Sequence, residues 1–154
     1  MYVNEDVVFD EGLIGEWVEE NDAEKFWKFN KIQENLYEVT IYEAGQEEYS
    51  AMGTLFEVNG QSYLDFFPKR EKYSDQQTAP FHMTCMIERT EDALNITFLD
   101  YEWARDFLEN KSKEISYIDI PSAEANILTS SREANRKLLV EYSAQAFNKE
   151  QTTR

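Results

Sequence analysis

The sequence is poor in the residues that form covalent cross-links and soft-metal sites. It holds one cysteine, Cys85, and one histidine, His82, among 154 residues. A lone cysteine excludes an intrachain disulfide and any zinc site made of several cysteines. We therefore expect no metal and no cofactor, and a fold that depends on its hydrophobic core.

Basic residues are also few. The chain has 15 Lys and Arg against 31 Asp and Glu, which gives a formal net charge of −16. Contacts with phosphate groups need clustered Lys and Arg, so this balance argues against binding nucleic acid or an anionic membrane. It permits a basic protein partner or mimicry of a nucleic acid, or it reflects a solvated surface that keeps the protein soluble.

Long apolar runs are missing as well. No stretch approaches the roughly 18 apolar residues of a membrane-spanning helix. Residues 1–6 lack the basic start and the apolar run of a secretory signal. Two origins remain open: a cytosolic chain, or a mature chain from which a signal has been removed.

Aromatic residues, in contrast, are plentiful, with 10 Phe, 9 Tyr and 3 Trp. Aromatic side chains favour pleated, half-buried surfaces. The length fits one domain, and no repeat or Pro/Gly-rich linker divides the chain. We therefore expect a single β-rich domain over residues 1–154.

Alternation of apolar and polar residues predicts a series of short strands. Asn59-Gly60 suits the two positive-φ positions of a type I′ turn and predicts a tight hairpin. The polar stretch Lys69–Ala79 predicts an exposed loop. The predicted strands are Leu13–Val18, Lys25–Phe29, Tyr37–Ile41, Tyr49–Val58, Gln61–Phe67, Phe81–Ile87, Leu94–Leu99, Ile115–Ile120 and Asn126–Thr129.

Two segments have helical periodicity. Asp100 is placed to cap a short helix with an apolar face, and Ser130 with Glu133 has the spacing of a capping box before a longer one. The apolar faces comprise Trp103, Ala104, Phe107 and Leu108 in the first helix, and Leu138, Leu139, Tyr142 and Ala146 in the second. We expect the second helix to pack against the outside of the sheet.

Eight or nine short strands joined by hairpins predict a mainly β fold, an antiparallel barrel with a short inserted helix and a C-terminal helix outside it. Closing the sheet removes exposed edges, and eight strands enclose space for packed side chains or one small ligand. A two-sheet sandwich is the alternative, because strand spacing alone does not distinguish the two architectures.

Gly15-Glu16-Trp17 at the first strand resembles the Gly-x-Trp signature of lipocalins and other calycins. The run Asn59–Pro68, the segment Asp100–Leu108 and the sequence Leu128–Ser131 look like uncharacterised bacterial lipocalin-like proteins. The resemblance implies a ligand-binding cup, in which Gly15 and Trp17 are structural and the Trp17 ring plugs the closed end.

The chain departs from the lipocalin pattern at two places. Lipocalins usually carry an arginine near the last strand that covers the motif tryptophan. Arg132 and Arg136 are the candidates here, and neither aligns with that position. Leu99-Asp100-Tyr101 resembles the family's second motif only faintly.

Asp65 interrupts the aromatic run Tyr63–Phe67, and alternation places Tyr63, Asp65 and Phe67 on one side of the strand. If that side faces inward, the Asp65 carboxylate needs a hydrogen-bond donor, and His82 on the next strand is the candidate. The hypothesis is an Asp65–His82 pair in a cavity wall. A satisfied core pair, or two surface side chains, is the alternative. The predicted ligand-binding residues are Trp27, Tyr37, Tyr63, Asp65 and His82.

The sequence favours a binding protein for a small apolar or amphipathic ligand. The alternative is an acidic interaction module that engages a basic partner and takes no small ligand. An enzyme is least favoured, because alternation sends Cys85 and His82 to opposite faces and no serine nucleophile has a recognisable setting. The acidic runs Glu16–Glu24 and Glu43–Glu48 lack the spacing of a calcium loop.

Overall fold

Short antiparallel strands make up most of the fold in the computed structural model, which describes residues 1–69, 82–111, 115–120 and 125–147. The described elements include nine strands and two α-helices. The strands are β1 (Gly15–Glu19), β2 (Asp22–Gln33), β3 (Leu36–Glu43), β4 (Gln46–Val58), β5 (Gln61–Pro68), β6 (Met83–Arg89), β7 (Leu94–Phe98), β8 (Tyr117–Ile120) and β9 (Ala125–Leu128), and the helices are α1 (Tyr101–Lys111) and α2 (Arg132–Ala146).

The first seven strands form one antiparallel sheet in chain order, from β1 to β7. This sheet curls into a nearly closed barrel, so the predicted mainly β barrel with two helices is confirmed. The last two predicted strands are present but do not join the barrel, because β8 and β9 pair with each other in a separate two-stranded sheet. The predicted loop at Lys69–Ala79 lies outside the described residues, except for Lys69.

The hairpins follow the turn chemistry of the sequence. Asn59 and Gly60 have φ angles of 54° and 76° between the paired residues Val58 and Gln61, which confirms the predicted type I′ turn. Long strands β2 and β4 carry the chain around the barrel, since each pairs with the preceding strand along its first part and with the following strand along its last part.

Side chains fill the inside of the barrel. Phe29, Val39, Leu64 and Cys85 have no exposed surface at all. A void wide enough for water would leave accessible surface on the side chains around it, so these four side chains border no cavity for a ligand. The barrel core comprises Leu13, Trp27, Phe29, Tyr37, Val39, Ala51, Leu55, Leu64, Phe66, Cys85, Ile87, Leu94 and Ile96.

A second hydrophobic cluster lies on the outer face of the sheet, under both helices. Phe56 and Tyr63 of the sheet belong to it, together with Leu108 of α1 and Leu138 and Leu139 of α2. The prediction that the C-terminal helix packs outside the barrel is therefore confirmed.

The two helix starts differ in how well the sequence predicted them. The Asp100 carboxylate accepts a hydrogen bond from the Trp103 amide at 2.8 Å, as predicted. The predicted cap at Ser130 is wrong by one residue, because Ser131 accepts from the Ala134 amide instead. The Ser130 hydroxyl accepts a hydrogen bond from the Ser116 amide at 2.6 Å, so a contact with the β8 segment takes it away from the helix.

The segment before β1 closes one end of the barrel. Its Val8 amide donates to the Leu55 carbonyl at 3.0 Å, where β4 extends past β3. Phe9 then stacks on Tyr37 with 4.9 Å between ring centroids, and Leu13 is buried in the barrel core. This segment does not close the seam between β1 and β7, the first and last strands of the sheet.

Candidate functional site

The barrel has an open seam between β1 and β7. In the part of the chain that the structure describes, β1 pairs only with β2 and β7 pairs only with β6. The two edge strands therefore face each other across a gap without joining in one ladder. Closure would have removed both edges, so this seam is the place where the sheet can still accept a partner.

A cleft of about 840 Å³ occupies this seam. Its residues come from both edges, so the cleft lies between the strands, and it borders the packed core at Trp27, Leu94 and Ile96. The apolar lining includes Ile14, Trp17, Val18, Trp27, Ala93, Leu94 and Ile96, and the polar lining includes Glu16, Glu19, Glu20, Glu91, Asp92 and Asn95. A volume of this size suits a small ligand or a short peptide segment.

The floor of the cleft is aromatic, with the Trp27 ring buried and the Trp17 ring partly buried. Trp17 and Trp27 stand directly opposite each other on β1 and β2, and Trp27 is only 8% exposed. Ile14, just before β1, and Val18 within it are instead 42% and 55% exposed. The cleft thus offers a buried ring surface behind an accessible apolar edge.

Carboxylates dominate the rim. Glu16 bonds to Lys28 at 2.8 Å, and this hydrogen bond is the main reason that the pKa of Lys28 is raised. Glu19 pairs with Lys25 at 3.4 Å. The remaining rim acids, Glu20, Glu91 and Asp92, are exposed. No Lys or Arg is among the lining residues, so the rim favours a positively charged group.

Gly15 and Trp17 set the geometry at the start of β1. Gly15 has a φ of 138°, a conformation that an L side chain rarely adopts. The Trp17 indole donates to the Leu13 carbonyl at 2.9 Å, which fixes the ring against the barrel core. Trp17 therefore serves both the packing at this end of the barrel and the lining of the cleft.

The structure separates the five predicted ligand-binding residues. Trp27 borders the seam cleft, whereas Tyr37 lies in the barrel core with no exposed surface. The Tyr37 hydroxyl accepts from the Asp10 amide at 2.8 Å and donates to the Asp10 carbonyl, and burial raises the pKa of this phenol. Tyr37 is thus committed to holding the segment before β1.

Tyr63, Asp65 and His82 lie on the opposite face of the sheet. Leu64 and Phe66 point into the barrel core, so alternation turns Tyr63 and Asp65 outward. The three residues therefore share no cavity wall with Trp27 and Tyr37. The physical reason is that the apolar neighbours of Asp65 bury more surface inside the barrel than the carboxylate could.

The predicted Asp65–His82 contact does form on this outer face. The Asp65 carboxylate is 4% exposed; it contacts His82 Nδ1 at 2.6 Å and accepts from the Thr84 hydroxyl at 3.0 Å. The His82 side chain is 64% exposed and lies 4.9 Å from the Phe67 ring, centroid to centroid. Two donors thus satisfy a carboxylate that burial would otherwise penalise.

Cys85 lies on the other side of the same strand, as alternation predicted. Its thiol is fully buried in the barrel core, and burial raises the pKa of Cys85. A buried thiol of raised pKa is a poor nucleophile. In the described part of the chain, Cys85 and His82 therefore do not form a catalytic pair.

Sequence reasoning missed the contacts that fix the barrel end beside the cleft. Asp10 and Arg89 form an ion pair at 2.7 Å, and the Arg89 guanidinium lies against Gly12. Of the two arginines considered for the lipocalin position, Arg136 instead pairs with Asp6 at 2.7 Å. No local signal in the sequence pairs residues this far apart.

A second cleft of about 430 Å³ lies beside Phe107 and Tyr142, between α1 and α2. Over the described ranges, no three His, Cys, Asp or Glu side chains are grouped as metal ligands. Neither α1 nor α2, the helices described here, has the length and apolar composition of a membrane-spanning helix.

Comparison with known proteins adds no assignment, because no family model, curated protein or solved structure matches this chain.

Proposed function

We propose that this protein is a binding protein, not an enzyme, and that it takes a ligand with an apolar body and a positive charge in the seam cleft. The observation that carries the proposal is the open seam itself, with the Trp17 and Trp27 rings inside it and carboxylates around it. An apolar cleft with a few directed polar groups is the usual form of a ligand site.

The proposal moves the ligand from the inside of the barrel to its seam. Interior side chains such as Phe29 and Tyr37 have no exposed surface, so a ligand there would have to displace packed rings. The seam needs no such displacement, since Ile14 and Val18 are already exposed.

The lipocalin resemblance is part of the same proposal. The nearly closed antiparallel barrel and the Gly15–Trp17 start of β1 support it, as does the helix α2 outside the sheet. The seven-stranded sheet and the position of Arg136 on the outer face are departures from the lipocalin plan. We therefore propose a lipocalin-like binding protein in which the missing closure creates the site.

Matched amphiphiles test the proposal. Octylammonium, 1-octanol and octanoate share one apolar chain and differ in charge, and each is titrated below its micelle concentration by calorimetry. Tryptophan fluorescence in a Trp103→Phe background follows the two rings at the cleft. We expect octylammonium to bind most tightly and octanoate least, because the rim is acidic.

A charge-matched pair of triple variants locates the binding. Glu20→Gln, Glu91→Gln and Asp92→Asn together remove three rim charges, and the control removes Glu5, Glu34 and Glu109, which are exposed elsewhere. The rim variant is expected to weaken octylammonium binding about tenfold, equal to ~1.4 kcal/mol, and the control to leave it nearly unchanged. Equal affinity for all three amphiphiles, or equal losses in both variants, would contradict the proposal.

Native mass spectrometry of freshly purified protein shows whether a small molecule co-purifies.

A further inference from the structure

The direction of the edge strands identifies what the seam lacks. Six successive antiparallel pairings connect β1 to β7, so these two strands run in the same direction. They cannot continue the antiparallel ladder by pairing with each other. One further strand that runs opposite to both would pair with both edges and complete an eight-stranded antiparallel barrel.

The backbone of β7 is prepared for such a strand. The Thr90 amide donates to the Ala93 carbonyl at 2.8 Å across the β6–β7 hairpin. Hydrogen-bonded and non-hydrogen-bonded pairs alternate along an antiparallel ladder, so Leu94, Ile96 and Phe98 direct their amide and carbonyl groups away from β6. These groups face the seam.

The cleft lies along both edge strands. Both β1 and β7 are five residues long. A strand of that length spans about 17 Å. The seam cleft, of about 840 Å³, is lined by residues 14–20 and 91–96, so it runs beside β1 and the first part of β7.

The charge of the seam selects the partner. Glu20, Glu91 and Asp92 are exposed at the rim, and the whole chain carries a net charge of −16. A second copy would bring the same negative charge and be repelled. The described strands β8 and β9 already pair with each other.

We propose that the occupant of the seam is an extended basic peptide of another protein, which adds to β1 and β7 as an eighth strand; this inference rests on the proposed function. Alternate residues of the peptide point inward onto Trp17, Trp27 and Ile96 and are apolar. The residues between them face outward, and Lys or Arg there meets the acidic rim. Main-chain hydrogen bonds then supply affinity, and the alternating side chains supply specificity.

Three six-residue peptides test this inference. The first alternates Lys and Val, the second has the same sequence with alternate amides N-methylated, and the third alternates Glu and Val. Calorimetry measures affinity, and amide hydrogen exchange at Leu94, Ile96 and Phe98 reports strand pairing. Octylammonium serves as the reference ligand that fills the cleft without pairing.

The expected result is that the Lys-Val peptide binds and slows exchange at Ile96 at least tenfold, because that amide gains a hydrogen bond. N-methylation of the amides that face β7 is expected to lower affinity at least tenfold. The Glu-Val peptide is expected not to bind. Octylammonium is expected to leave exchange at Ile96 unchanged. The rim triple variant is expected to weaken binding of the Lys-Val peptide, whereas its control is expected to leave that binding unchanged.

Contradictory results separate the two proposals. Equal affinity of the methylated and unmethylated peptides, or unchanged exchange at all three β7 amides, overturns strand addition. If octylammonium binds at the seam and the peptide does not, the inference fails and the proposed function stands. If neither binds, both fail. A salt-dependent dimer in analytical ultracentrifugation that the peptide dissociates assigns the seam to a second copy and also overturns the inference.

Discussion

Arg89 and Asp10 are joined by two hydrogen bonds although 79 residues separate them. Arg89 Nε donates to Asp10 Oδ2 at 2.7 Å and Nη2 donates to Oδ1 at 3.1 Å. The guanidinium lies so close to Gly12 that a Cβ there would stand 2.4 Å from Arg89 Cζ. This pair ties the end of β6 to the segment before β1, and so holds one end of the open seam.

Stability at acid pH is expected to depend on two ion pairs of this kind. Burial raises the pKa of Asp10, but hydrogen bonds from Arg89 and the Gly12 amide outweigh it and keep that pKa below the ordinary value. The pKa of Asp6 is lowered chiefly by its hydrogen bond from Arg136. Carboxylates with depressed folded pKa values stabilise the fold above the unfolded pKa of about 4. That stability is lost as the pH falls through the folded pKa values.

Urea unfolding at several pH values between 7 and 2 checks this prediction. The free energy of unfolding is expected to fall below about pH 5. In an Asp6→Asn variant the free energy of unfolding is expected to fall less over this pH range, because the side chain no longer titrates. Glu5→Gln, an exposed neighbour in the same segment, is the control and should keep the full dependence. Identical curves for the two variants would be inconsistent with the role given to Asp6.

Tyr37→Phe is expected to destabilise the protein by about 1–3 kcal/mol, since it leaves the Asp10 amide without its hydroxyl partner. The ring and its stacking on Phe9 are retained, so the loss measures the hydroxyl. Urea denaturation provides the measurement. Tyr42→Phe, whose ring is only partly buried, is the matched control. No loss in Tyr37→Phe would show that the segment before β1 is held by other contacts.

Cys85 is expected to resist thiol reagents in the native protein. Its side chain is fully buried and burial raises its pKa, so little thiolate forms and no reagent reaches it. Labelling with a disulfide reagent at pH 8 should be slower than in guanidinium chloride by about a hundredfold or more. Rapid native labelling would mean that β6 opens readily from the barrel.

His82→Ala is expected to leave the affinity of the seam for octylammonium unchanged within twofold. His82 lies on the outer face of the sheet, whereas the cleft is lined by β1, Trp27 and the β7 side. The variant is expected to lower stability, because the buried Asp65 carboxylate loses its contact with His82. Val18→Ser, at the exposed edge of the cleft, is the positive comparison and should weaken binding. A large loss of affinity in His82→Ala would instead place the binding site at the Asp65–His82 pair.

The sequence predicted well what neighbouring residues decide. Positive φ at Asn59 and Gly60, the cap at Asp100 and the opposite faces of His82 and Cys85 all depend on positions a few residues apart. The cap at Ser130 shows the limit of this reasoning. Ser130 and Ser131 have the same chemistry, and only the contact of Ser130 with Ser116 decides which of them caps the helix.

The amino-acid sequence by itself determined an acidic, aromatic-rich antiparallel fold, and it offered Asp65 and His82 as a candidate pair, because period-two alternation sets which side chains share a face of a strand. The contact between them came from the structure. The sequence did not determine which face is the inside. That choice came from the tertiary structure, where the larger apolar set that includes Leu64 and Phe66 fills the barrel and turns Asp65 outward. The same packing places β8 and β9 beside the helices and leaves the seam between β1 and β7 open. Closure of a barrel depends on contacts between distant segments, and no local sequence pattern records those contacts.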